Sequence, residues 1–143
     1  MDEVEAAYPI PVLRQVLATA QKLVNKEFPL LRGSSTCSRE FLDLIGRIEE
    51  AVSKELLKYG FKRVPEPAAR ERKDLIIGYF AFHEIVVEFG VRDLNKCAVL
   101  EELTGGKPPR VYAKILVGGQ TFMVLEGFEE EGKEGAAEVR YIF

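Results

Sequence analysis

The strongest constraint in this chain is a change of apolar period at Gly60. Upstream, Phe41, Leu42, Ile45, Ile48, Val52, Leu56 and Tyr59 recur every three or four residues, the stripe of an amphipathic helix. Ser38 stands where an N-cap accepts from the first free amides, and Glu40 lies near the positive end of the helix dipole. Gly60 occupies the place of a left-handed C-cap. Downstream the apolar residues come in short β-rich runs instead. Helices followed by strands make an α+β protein.

A further helix precedes this one. Between residues 11 and 28, Val12, Leu13, Val16, Leu17, Ala20, Leu23, Val24 and Phe28 share the same spacing, with Pro11 in the first turn, where a missing N–H costs nothing. Pro29 is expected to end it. Residues 1–8 read as a frayed acidic start and residues 32–36 as a polar loop. After Gly60, residues 61–64 form a short strand that Pro65-Glu66-Pro67 breaks, and the basic run 70–73 reads as solvated loop. Residues 75–82 and 84–91 are β-rich and divide at His83, as a hairpin or as one bent strand. Asp93 suits the N-cap of a short helix over 94–103, stopped by Gly105-Gly106 and Pro108-Pro109. Residues 110–117 and 120–128 flank Gly118-Gly119, a strong hairpin signal. Residues 129–135 read as an acidic turn and 137–143 as a last strand. The expected fold is therefore two N-terminal helices and a mixed β-sheet. A short helix follows the second or third strand, and an antiparallel meander forms the C-terminal end.

Simple alternation through the Gly118-Gly119 turn puts Val111, Ala113, Ile115 and Val117 on one face with Phe122 and Val124. Tyr112, Leu116, Met123 and Leu125 then fall on the other. Two partly apolar faces, with Tyr141 and Phe143 nearby, suggest a patch covered by a second copy in a homo-oligomer such as a homodimer.

At 143 residues, 47% of them apolar and nine of them Phe, the chain has the length of a single domain, 1–143, with a core of its own. A domain of this size buries roughly 70% of the surface its unfolded chain exposes. Cys37 and Cys97 form no CxxC pair, and with His83 the lone histidine a structural zinc site is not expected. Two buried or half-buried thiols in a reducing compartment fit better. No signal sequence or run of membrane-spanning length is visible, so a cytoplasmic location with no membrane partner is expected. The 30% charged content with two Asn and three Gln leans towards a thermophile. The formal charge of −3 argues against nucleic-acid binding over the whole surface. A local basic face around Lys62, Arg63, Arg70, Arg72 and Lys73 is compatible with it.

Three strings carry a family resemblance: Leu56-Leu57-Lys58-Tyr59-Gly60-Phe61-Lys62, Lys73-Asp74-Leu75, and Ile85-Val86-Val87-Glu88-Phe89-Gly90. Together with the element order they resemble the restriction-endonuclease-like, PD-(D/E)XK nuclease superfamily over roughly half of the chain. The resemblance implies a nuclease-like domain that binds or cleaves nucleic acid, a possible magnesium-dependent nuclease with a degenerate metal site. Asp74 matches the first acid of the motif. Glu88 matches its last position if Val86 is the first, or its second acid if Gly90 stands at the lysine position. Asp74, Glu84 and Glu88 are then the candidate Mg2+ ligands, Glu84 and Glu88 because strand alternation puts them on one face. Lys73 and Arg92 join Asp74 and Glu88 as candidate catalytic residues that would stabilise phosphate charge. The alternative is a non-enzymatic protein-interaction module, and His83 reads as a strand-end or turn residue.

Overall fold

A computed structural model describes residues 9–67 and 72–127, and the backbone of residues 137–141. Two helices, α1 (Ile10–Leu31) and α2 (Arg39–Lys58), precede β1 (Lys62–Val64), β2 (Leu75–Phe82) and β3 (Ile85–Val91). A short helix, α3 (Leu100–Thr104), leads into β4 (Val111–Val117), β5 (Gln120–Gly127) and β6 (Ala137–Tyr141). Among the described residues the strands form one sheet in chain order, with all pairings antiparallel. The α+β class, the paired N-terminal helices, the short helix after the third strand and the closing meander are as expected. The sheet is antiparallel throughout, not mixed: tight turns join β2 to β3 and β4 to β5, and the longer β3–β4 connection returns beside the strand it leaves. The acidic segment 129–135, residues 1–8 and the chain beyond Tyr141 lie outside the described residues, as do Arg70 and Glu71.

The boundaries follow from local chemistry. Ser38 caps α2 by accepting the Phe41 amide at 3.3 Å. At the other end Gly60, with φ 93°, turns the chain while its amide reaches Leu57 O and the Phe61 amide reaches Leu56 O. These two bonds satisfy carbonyls that a helix end leaves open. Pro29 does not end α1, which runs on to Leu31. A proline removes one bond to the preceding turn, and this close to the terminus few further bonds depend on it.

Residues 75–91 are a hairpin with Phe82 paired to Ile85 across His83-Glu84. His83 takes φ 53°, a left-handed conformation that histidine adopts more readily than most residues. The Gly118-Gly119 turn forms as expected, both glycines at positive φ.

Three further expectations need correction. The helix expected over 94–103 is confined to Leu100–Thr104, and Asp93 is a turn residue at φ 60°, not its cap. Tertiary bonds hold the intervening backbone: the Asn95 amide donates to Lys73 O, Thr36 donates to Lys96 O, and the Thr36 amide donates to Ala98 O. Nor are the cysteines two separate thiols. Cys37 and Cys97 are exposed and disulfide-bonded, with Cα atoms 5.3 Å apart. They flank the bridge between Ser35 and Val99 that joins the loop before α2 to the loop before α3. The third correction concerns the faces of β5. A bulge shifts the register after Leu116↔Thr121, so that Met123 pairs with Ile115 and Leu125 with Ala113. One extra residue reverses the alternation. Met123 and Leu125 are therefore buried in the core, while Val124 lies opposite Lys114. Of the apolar strip expected on the outer face, Met123 and Leu125 are thus withdrawn into the core, and the side chains of Tyr141 and Phe143 lie outside the described residues.

The core fills the space between the helices and one face of the sheet. Leu13, Leu17, Ile48 and Leu56 from the helices share it with Phe80, Val87, Phe89 and Ile115 from the strands. One polar side chain crosses this layer. Gln21 of α1 is buried, donates to Pro109 O at 2.9 Å and accepts the Val111 amide at 2.8 Å. It approaches the end of β5 so closely that a Cβ at Gly127 would lie 2.8 Å from the Gln21 Cβ.

Candidate functional site

The face of the sheet turned away from α1 and α2 carries a polar network centred on Glu88. Strand pairing sets Glu88 between Tyr79 on β2 and Lys114 on β4. Its Oε1 accepts from the Tyr79 hydroxyl at 2.7 Å and from Arg72 Nη1 at 2.9 Å. Its Oε2 accepts from the Tyr112 hydroxyl at 2.6 Å, with Lys114 Nζ at 3.8 Å. Glu88 is only 4% exposed, a depth at which an unpaired carboxylate is costly.

Burial alone would push this carboxyl up. The hydrogen bonds from Tyr112 and Tyr79, followed by the charges of Lys114 and Arg72, outweigh it and hold Glu88 below the ordinary carboxylate range. Burial raises both phenols, and hydrogen bonding to Glu88 raises them further. Glu88 is thus an anion and the tyrosines are fixed donors. A general base poised for catalysis needs the opposite shift.

Tyr112 reaches this position because β3 has no side chain beneath it. A Cβ at Gly90 would meet the Tyr112 hydroxyl at 2.5 Å. The Arg92 guanidinium lies over the same ring, 4.3 Å from its centroid, a favourable cation–π geometry. Arg92 also bonds Glu126 at 2.9 Å and pairs with Asp74 at 3.4 Å. The other Asp74 oxygen accepts the Asp93 amide at 2.9 Å.

The sequence-derived candidates therefore divide. Asp74 and Arg92 meet, as the hairpin register implies, and Glu88 is joined to them only through Tyr112, with no direct bond to either. Glu84 lies in the turn between β2 and β3, four residues before Glu88, and is exposed. Lys73 is exposed beside Asp74, its carbonyl taken by Asn95. Among the described residues no group of three or more His, Cys, Asp or Glu lies close enough to hold a metal ion. A magnesium ion at Glu88 would have to compete with donors already bonded to both oxygens, and hard cations need those lone pairs. Of the expected basic face, Arg63 pairs with Glu49 and Arg72 with Glu66 and Glu88, while Lys62 and Lys73 are exposed and Arg70 lies outside the described residues.

Beside the network is an open cleft of about 310 Å³, bordered by Pro67, Arg72, Tyr79 and Glu88 on one side and by Gly118, Gly119 and Thr121 on the other. Val86 and Leu116, paired across β3 and β4, form its apolar floor, and Glu84 stands at its mouth. The sequence marks Arg72 only as part of a basic run and Tyr112 only as part of an apolar face, and gives Tyr79 and Lys114 no role. A confident hairpin would have placed Tyr79 opposite Glu88. The contribution of Arg72 comes from a loop with no periodic signal. Comparison with protein-family models, with curated proteins and with solved structures gives no match for this chain.

Proposed function

We propose that this chain is a non-enzymatic binding module, and that the outer-face cleft receives a small ligand or side chain with an apolar body and a cationic head. The observation that carries this reading is the pairing of an apolar floor, Val86 and Leu116, with the carboxylate of Glu84, which forms no ion pair with a described residue. Clefts of this size with a few convergent polar groups are the usual setting of ligand sites. The engaged state of Glu88 supports binding over chemistry, because its oxygens are committed to Tyr79, Tyr112, Arg72 and Lys114. Arg72 and Glu88 then act as a fixed polar wall.

Titration with butylamine and with butyrate, followed by amide NMR shifts, tests the reading. Butylamine is expected to move the Val86, Leu116 and Thr121 amides and butyrate to leave them in place. Glu84→Gln should weaken the amine about threefold, the scale of one exposed charge contact. Unmoved cleft amides, or equal response to both probes, would sink the proposal. Plasmid nicking with magnesium or manganese tests the nuclease-like alternative directly. The expected result is no nicking, whereas cleavage that Asp74→Ala abolishes would restore that alternative.

A further inference from the structure

We infer that the groove between the C-terminal end of α1 and the first half of α2 is a docking site for a basic amphipathic helix of another protein. The inference is independent of the cleft on the opposite side of the sheet. Leu30 is 78% exposed and Leu42 54% exposed, and both line this groove together with Gly46. Two large leucines on an exposed surface beside each other lose the hydrophobic benefit that the rest of the apolar stripe obtains.

Gly46 points the same way. It sits in the middle of α2 on the solvent side, where glycine weakens a helix relative to alanine. A Cβ there would meet nothing within 4 Å, so the fold of this chain gives no steric reason for the glycine. Close approach of a second backbone supplies one, as helix-in-groove recognition requires.

The rim decides what that backbone belongs to. Glu40, Asp43 and Glu50 are exposed around the leucines. Arg47, the basic residue of the groove, is paired to Glu27 at 2.8 Å. A second copy related by a two-fold axis would bring these acids against their own kind, and nucleic acid would be repelled outright. A helix with leucine-like anchors on one face and lysine or arginine along its flanks satisfies both the floor and the rim.

The probe is a synthetic leucine–lysine amphipathic helix of about five turns, compared with an analogue carrying glutamate for lysine. Binding to the full chain is read from amide NMR shifts and calorimetry. The basic helix is expected to move the Leu30, Leu42 and Gly46 amides, and the acidic one to leave them unchanged. Gly46→Gln should raise the melting temperature while weakening the basic helix about tenfold, the effect of filling a central contact. That opposite movement separates a docking defect from a folding defect. Paired Asp43→Lys and Glu50→Lys substitutions should weaken binding as well. Unmoved groove amides, undiminished binding in Gly46→Gln or equal affinity for the acidic helix would each overturn the inference. So would self-association of the chain that Leu42→Lys abolishes.

Discussion

Glu88 accepts hydrogen bonds from Tyr79, Tyr112 and Arg72 and pairs with Lys114, so removing it leaves all four without their common anion. Breaking a buried charge pair from one side costs about 3–5 kcal/mol, and Glu88→Ala is expected to lose stability on that scale in guanidinium denaturation. Glu88→Gln keeps the volume but points an amide donor at other donors, so a loss of about 1–3 kcal/mol is expected. A catalytic carboxylate would behave differently: its amide variant would fold normally and lose turnover alone. Glu88 was singled out in the sequence only as a candidate metal ligand and catalytic acid, through the family resemblance and strand alternation. Its partners were not legible as such. Tyr112 lies 24 residues away, and pairing of that kind depends on strand register rather than on any local pattern.

At the level of elements, the terminal devices were readable and the long-range ones were hidden. Ser38, Gly60 and the Gly118-Gly119 pair act through neighbours within a few residues, which is why their roles follow from spacing. The stretch from Asp93 to Val99 also carries apolar residues at helical spacing, yet bonds with Thr36, Lys73 and Asp74 take its backbone. The bulge after Leu116 is equally invisible, and it alone reverses which β5 side chains enter the core. The Cys37–Cys97 link tests how much these loop contacts hold by themselves. Closing a span of 60 residues stabilises a fold by about 2–4 kcal/mol. Cys97→Ser is expected to lose that amount under oxidising conditions and to become insensitive to dithiothreitol, measured by guanidinium midpoints. Because the Ser35↔Val99 bridge and the Thr36 bonds remain, the variant should still fold.

For the whole molecule, the network predicts a plateau of stability with two flanks. Glu88 is held below its ordinary range. Its contribution is therefore complete above the unfolded carboxyl pKa of about 4.3 and is lost as pH falls through the lower folded value. Tyr79 and Tyr112 are shifted upward. Their contribution is complete below the unfolded phenol pKa of about 10 and declines as pH rises from there towards the folded values. Guanidinium midpoints across the pH range should show both flanks, and Glu88→Gln should remove the Glu88 share of the acid one. The order of helices and strands was legible because it rests on periodicity, and the disposition of charge was not, because it rests on which strands become neighbours. Gln21 adds a consequence of its own. Its side chain clasps the backbone on both sides of Arg110, at Pro109 and Val111, from 88 and 90 residues away. The first helix is thus stitched to a strand made much later by the chain, and a fragment ending before residue 109 would leave that amide group with Asn25 of its own helix as its remaining partner.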